Sequence, residues 1–225
     1  HISGIYSDAI LLYFVLQTRV HLNKIRTPAI SRQTQDVITK LKRMDLTNKL
    51  YKVFLIAGSE PLGTAGMQAD IKSISACGGY AAGAITCIVD EDTIKVKSIQ
   101  TIPVEMVVSQ TYSFLEDVGA DCIKTGMLYS QELVTAIGNV VKKQSIPIVV
   151  DPVMVSSAGD KLLQDDAIQA YKDCLFPYST IITPNRREAD LLLGKSLTKD
   201  NMKEYTPELS KWGNCVIVKS IEDGD

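Results

Sequence analysis

The sequence predicts an α/β fold with a mostly parallel central sheet, and three patterns carry that prediction. Runs such as Val53-Phe54-Leu55-Ile56-Ala57 are apolar throughout, as strands covered on both faces must be. Longer segments with helical spacing separate them. Strand and helix alternate from Tyr51 onward, the order that puts helices on both sides of a parallel sheet. Ligands of such sheets gather beyond the carboxyl ends of the strands, so chemistry is sought there.

Taken in order, the first strand is Val53 to Ala57, closed by Gly58. Met67, Ile71, Ile74 and Cys77 then mark a helix from Ala65 to Cys77, ended by Gly78-Gly79. Ala84 to Val89 and Val96 to Ile102 read as strands. Pro103 opens a helix where a missing N–H does no harm, and Val104 to Val118 continue it to Gly119. Cys122 to Thr125 is a strand, Gln131 to Lys143 a helix and Ile146 to Val150 a strand. Helices over Leu162–Leu175 and Asn185–Leu193, with strands over Thr180–Thr183 and Cys215–Val218, complete the pattern.

Composition narrows the chemistry. The 225 residues are 45% hydrophobic and 22% charged with a net charge of −2, which excludes disordered and collagen-like chains and gives no basic field for nucleic acid or an anionic membrane. Residues 1–43 hold seven basic residues against Asp8 and Asp36, a charge of +5 that leaves −7 for the rest. The apolar run Ala9 to Leu16 is too short for a bilayer span of about 20 residues. Met44-Asp45-Leu46-Thr47 reads as a natural start, so 1–43 is expected to be a peripheral leader and 44–225 the domain. Both histidines, His1 and His21, lie in the leader, so Ser-His-Asp, Cys-His and His-ligated zinc chemistry are excluded from the body. Cys77, Cys87, Cys122, Cys174 and Cys215 are odd in number and widely spaced, as buried thiols in a reducing cytoplasm would be.

The strand ends hold the candidate site. Gly58-Ser59-Glu60-Pro61-Leu62-Gly63-Thr64-Ala65-Gly66 joins the first strand to a helix that carries Asp70; helix N–H groups there invite a ligand, and a plain βα turn explains the glycines as well. Asp90-Glu91-Asp92 follows the second strand, either as a solvated loop or with a carboxylate for a ligand amine. Met127 follows Lys124-Thr125-Gly126 as pocket wall or core filler. Asp151, before Pro152, stands where a hydrated magnesium would be held by few protein ligands, or where a turn is capped. Asn185 and Glu188 have capping-box spacing and also face the same edge, and Lys219 ends the last strand near any phosphate.

Ile56-Ala57-Gly58-Ser59-Glu60-Pro61, Gly66-Met67-Gln68-Ala69-Asp70-Ile71-Lys72, Lys124-Thr125-Gly126-Met127-Leu128, Asp151-Pro152-Val153-Met154, Gly159-Asp160 and Thr183-Pro184-Asn185 with Glu188-Ala189 together resemble, in order and spacing, the hydroxymethylpyrimidine and phosphomethylpyrimidine kinases of thiamine biosynthesis. The resemblance runs from about Val53 to Lys219. It implies a ribokinase-like three-layer α/β/α sandwich, ATP and Mg2+ as cofactors, and phosphorylation of an aminopyrimidine alcohol and then its monophosphate. Ala65, Asp70, Val89, Glu91, Met127 and Val153 would line the pyrimidine pocket. Asp151 and Glu188 would serve the metal, and Asn185 and Lys219 the nucleotide and phosphates. A cytoplasmic enzyme is implied, with no nucleic-acid or membrane partner, in a family where dimers are common.

The chain departs from the family pattern in places. Glu91-Asp92 stands where Gln-Asn is usual, Gly63-Thr64 where Gly-Gly is usual, Ser156-Ser157-Ala158-Gly159 where Ala-Lys-Ser-Gly is usual, and Lys219-Ser220-Ile221-Glu222 where Lys-Gly-Gly-His is usual. The family's Gly-Thr-Gly segment and its general base would follow Asp225, so the C-terminal part is expected to be missing and the chain as given slow or inactive. A pyridoxine or pyridoxal kinase of the same fold, and a ligand-binding pseudokinase, are the competing expectations.

Overall fold

The computed structural model describes residues 50–155, 162–163, 167–198 and 200–219. The leader, the Ser156 to Asp160 stretch and Ser220 to Glu222 lie outside the described residues. The elements are β1 (Lys52–Ser59), α1 (Gly66–Ala76), β2 (Tyr80–Glu91), β3 (Val96–Thr101), α2 (Val104–Asp117), β4 (Cys122–Thr125), α3 (Gln131–Val141), β5 (Ile148–Val150), α4 (Ala167–Ala170), β6 (Ile181–Ile182), α5 (Arg186–Leu193) and α6 (Met202–Leu209).

Six strands pair in the order β3-β2-β1-β4-β5-β6, all parallel except the β2–β3 edge. The chain runs outward from β1 to β3 and then restarts on the other side of β1 with β4. The direction of winding therefore reverses between β1 and β4, the place where a parallel sheet opens a crevice at its carboxyl edge.

The period-2 alternation of β1 divides the core. Val53, Leu55 and Ala57 pack with Met67 and Ile74 of α1, beside Cys122, Val149 and Ile181. Phe54 and Ile56 face the other way, toward Val107, Leu133, Val134, Ile137, Val141 and the Tyr171–Phe176 segment. Phe54 stacks on Phe114 of α2 with ring centroids 4.6 Å apart. Both faces are thus covered, which is why these strands carry no polar alternation and why the layers are helix, sheet, helix. Among the described residues no helix is long and apolar enough to cross a membrane.

Several elements differ from the sequence expectation. Gly58 continues β1 to Ser59, with a register shift between Ala57 and Ser59. The Leu162–Leu175 helix is helical, within its described part, only from Ala167, and it widens to a π-turn over Tyr171–Leu175. Cys215–Val218 forms no strand: Val216 and Lys219 make isolated parallel bridges to Ile182 and Asn185, alongside the short β6. Helix α6, unanticipated because it is polar and contains Pro207, follows α5. Pro103 acts as the residue capping α2 rather than as its first helical residue.

The β2 strand begins earlier than expected because Tyr80-Ala81-Ala82-Gly83 lacks β-branched residues, yet it pairs fully with β1. Gly83 makes this possible: a Cβ there would lie 2.3 Å from the Leu55 carbonyl oxygen. Gly83→Ala is expected to force the β1 and β2 backbones apart and to lower unfolding free energy by about 1–3 kcal/mol, read from the urea midpoint.

Candidate active site

The loop after β1 is organised by one carboxylate. Glu60, buried behind it, accepts hydrogen bonds from the backbone N–H groups of Leu62, Gly63 (3.0 Å), Thr64 and Ala65 (2.8 Å). Its negative charge fills the nest that the loop backbone makes. The loop then folds back on its own strand: Gly66 has φ +56°, and a Cβ on it would sit 2.4 Å from the Gly58 carbonyl oxygen. Gln68 Nε2 donates to Ser59 Oγ at 2.6 Å and Lys72 Nζ donates to the Gly63 carbonyl, closing the turn over α1. The N–H groups of residues 62–65 are therefore spent internally, and the loop's expected open donors reduce to those of the first helical turn. Ala65 stands at the mouth of that turn as the residue preceding α1.

Below the loop, Asp70 of α1 meets Lys124 of β4. Lys124 Nζ lies 2.6 Å and 2.7 Å from the two Asp70 carboxylate oxygens, and both side chains are almost fully buried. In the sheet register Lys124 lies between Leu55 and Val149, on the apolar layer under α1. A lysine at that position demands an opposite charge, because burying one ion alone costs far more than the pair. No local pattern in the sequence names Asp70 as the partner, although a lone lysine inside the buried strand Cys122-Ile123-Lys124-Thr125 signals that a counter-charge is needed.

Three of the expected pocket residues come together. Val89 and Met127 pack with Cys87 and Leu162 in one small cluster, against which Val153, Tyr129, Val96 and Ile99 are packed. The wall is pinned by the Thr86 hydroxyl, which donates to the Met127 carbonyl at 2.6 Å. Glu91 ends β2, half-buried, opposite Val96 at a register shift. Its neighbour Asp92 has the turn role: Oδ1 accepts from the N–H groups of Ile94 (2.9 Å) and Lys95 (3.1 Å), and Lys97 Nζ lies 3.2 Å away. Those backbone bonds, then Lys97, hold the Asp92 carboxyl down at about 2.

The remaining residues gather at the ends of β5 and β6. Asp151 follows β5 and is paired with Lys219 Nζ at 3.2 Å. Lys219 is carried there by its N–H bond to the Pro184 carbonyl (2.9 Å) and its bridge to Asn185. Asn185 and Glu188 form the capping box in full: Glu188 N–H donates to Asn185 Oδ1 at 2.9 Å and Asn185 N–H donates to Glu188 Oε2 at 2.8 Å. Glu188 Oε1 also accepts from the Met154 N–H at 3.2 Å, so this buried carboxylate ties α5 to the loop after Asp151. Tyr171 lies close enough that burial first, then the Asp151 and Glu188 charges, push its phenol well above its ordinary range. It remains a neutral phenol beneath two acids.

Among the described residues no group of three or more His, Cys, Asp or Glu could cage a metal. Asp151 with Glu188 nearby instead suits an ion that keeps most of its waters, which is magnesium's habit. The five cysteines are free. Burial, and secondarily Asp121, pushes the Cys122 thiol up to about 12, and burial raises Cys87 and Cys215 as well, so these thiols are not poised as nucleophiles.

Glu60→Gln replaces an acceptor-only group by one whose NH2 opposes backbone donors. Amide exchange of residues 62–65 is expected to quicken at least about tenfold, measured by hydrogen–deuterium exchange against an unchanged β4. A second expectation concerns acid. Because the Asp92 pKa is depressed in the folded chain, the β2–β3 turn keeps its full support above the ordinary carboxylate range and loses it as pH falls through about 2. The Ile94 and Lys95 amide resonances should shift over that interval, and resonances that stay fixed would remove the assignment.

A family model described as phosphomethylpyrimidine kinase matches residues 60–224. The chain is 34% identical over 173 residues to the hydroxymethylpyrimidine/phosphomethylpyrimidine kinase of Bacillus subtilis, covering 76% of this chain and 64% of that protein. It is 39% identical over 171 residues to a probable chloroplastic thiamine biosynthetic bifunctional enzyme of Oryza sativa, covering 74% of this chain and 31% of that protein. The chain thus spans between about a third and two thirds of the length of these relatives. Among solved structures it is similar to a phosphomethylpyrimidine kinase of Clostridium difficile, with TM-score 0.69, 34% identity, and 75% and 74% of the two chains covered. It is equally similar to a Staphylococcus aureus pyridoxal kinase in complex with AMP-PCP and pyridoxal, with TM-score 0.68, 33% identity, and 78% and 65% covered.

Proposed function

The chain belongs to the phosphomethylpyrimidine kinase family, and on that premise we propose that it takes part in ATP- and magnesium-dependent phosphorylation of a hydroxymethylpyrimidine and its monophosphate. The ribokinase-like α/β/α fold is common to this chain and its structural neighbours. The observation that carries the reading is a division of the carboxyl edge into two halves. One half is apolar, with Val89 and Met127 packed together and Val153 against them, and the Asp70–Lys124 pair is joined to it through β4, three residues before Met127; the other is charged, with Asp151, Lys219, Asn185 and Glu188. A flat heteroaromatic ring suits the first half. Phosphates and a hydrated cation suit the second.

In this reading Ala65, Asp70, Val89, Glu91, Met127 and Val153 receive the ring and its hydroxymethyl group. Asp151 would hold magnesium through one carboxylate, and Glu188 would orient its water. Bound magnesium would neutralise phosphate charge, the main demand of phosphoryl transfer. Lys219 would exchange its bond to Asp151 for a phosphate oxygen, and Asn185 would line the same edge. This chemistry needs positioning and charge more than a covalent nucleophile, so a domain without histidine is adequate. Five free thiols, two of them buried, accord with a cytoplasmic enzyme.

A second reading is a pyridoxal kinase, favoured by the similarity to the Staphylococcus aureus enzyme and by Glu91, a carboxylate able to pair with more than one ring nitrogen pattern. Calorimetric titration of the chain with 4-amino-5-hydroxymethyl-2-methylpyrimidine and with pyridoxal separates the two. Tighter binding of the pyrimidine is expected; tighter pyridoxal binding favours the second reading, and indifference to both removes both. Asp151→Asn is expected to raise the magnesium needed for half-maximal nucleotide binding by about tenfold. An unaltered magnesium titration would return Asp151 to a turn role.

A further inference from the structure

The Asp70–Lys124 pair has a consequence for ligand choice that concerns Lys124, a residue with no role in the proposed chemistry above. Both Asp70 oxygens are gripped by one ammonium, at 2.6 Å and 2.7 Å, in a layer whose sheet neighbours are Leu55 and Val149. A carboxylate in an ion pair carries no proton, so it accepts hydrogen bonds and cannot donate one. The same carboxyl without its cation, in an apolar layer, takes up a proton and becomes a donor. Lys124 therefore decides which hydrogen-bonding polarity the pocket floor presents. The position supports this: Lys124 is three residues before Met127 of the pocket wall, and Asp70 lies on the first helix after the Glu60-ordered loop.

We propose that Lys124 is a positioning residue that fixes Asp70 as an acceptor-only group, so that the pocket selects an alcohol O–H over a carbonyl oxygen at the ligand's reacting carbon. The inference rests on the pyrimidine-pocket reading and adds to it the basis of discrimination. The alcohol donates to Asp70, whereas an aldehyde oxygen brings only lone pairs to the negative charge. Sites built around one hydrogen-bonding polarity reject the wrong partner far more strongly than apolar pockets do. The pair is neutral as a unit, which also matches a neutral ligand.

The test compares two ligands with the same heavy atoms, 4-amino-5-hydroxymethyl-2-methylpyrimidine and its 5-carbaldehyde, titrated calorimetrically into the chain at several pH values. The wild-type chain is expected to prefer the alcohol by at least about tenfold, with a ratio unchanged between about pH 6 and 8. Lys124→Met should collapse that ratio, and the collapse should deepen as pH falls, because the buried carboxyl left without its cation protonates. The double variant Lys124→Met with Asp70→Asn removes both charges and guards against loss of folding. Its amide can donate or accept, so the two ligands should bind within about threefold of each other. A purely structural pair would lower the affinity for both ligands together and leave the ratio and its pH profile in place. A wild-type ratio in either variant, or no preference in the wild-type chain, overturns the proposal while leaving the pocket reading intact. Failure of the wild-type chain to bind either pyrimidine overturns both.

Discussion

Parallel pairing of β1, β4, β5 and β6 is the constraint from which the site follows. Parallel strands all end on one edge, so the four loops that leave them open side by side whatever their sequences. Glu60, Met127, Asp151 and Asn185 come from segments far apart in the chain and meet on that edge because each follows a strand. The pairing itself depends on both faces being buried. Alternate residues of β1 feed two separate cores, and loss of either would expose strands with no polar face to turn outward.

Into this apolar sandwich the chain inserts one charge pair, Lys124 and Asp70. Replacing such a pair by apolar residues is often neutral or stabilising, whereas removing one partner costs about 3–5 kcal/mol. Stability alone is therefore a poor reason to find it there. Its position at the reversal point between β1 and β4 gives a better one, since that is where the fold opens its crevice. An ion held in low dielectric also has a fixed direction and a fixed protonation state, which a solvated side chain lacks.

Much of this was legible in the residues. Apolar runs and helical spacing located β1, β4, α1 and α3 to within a few residues, because tertiary burial and local periodicity agree there. The Asn185–Glu188 spacing read correctly as a capping box. The departures have physical causes. Tyr80-Ala81-Ala82-Gly83 pairs as a strand without β-branched residues, and its close approach to Leu55 requires the glycine. The π-turn at Tyr171 keeps helical spacing while changing its bonding, so periodicity cannot reveal it. Cys215 to Val218 has a strand's composition but only β6, two residues long, to pair with. Among site residues, the clustering of Val89, Met127 and Val153 was implied by resemblance, whereas the partners of Asp70, Glu60 and Asp151 depend on contacts between distant segments that no local pattern encodes.

The Glu60 nest bears on how the two halves divide their work. A glycine-containing loop between a strand and a helix is the usual place to look for a phosphate, because backbone N–H groups converge there on an anion. Here the anion is built in. With the N–H groups of Leu62, Gly63, Thr64 and Ala65 bound to the Glu60 carboxylate, a phosphate brought to the same nest would have to displace a buried charge and would meet its repulsion. The loop is thereby rigid and electrostatically satisfied, qualities that suit a wall for a neutral ring. The proposed phosphate site then falls on the opposite half of the edge, where Lys219 is the cation held at Asp151 and the first turn of α5 follows Asn185. In the proposed reading the ligand's hydroxyl would lie between an accepting carboxylate at Asp70 and the cationic end at Lys219, so that the hydroxyl is oriented from one side and phosphoryl charge is met from the other.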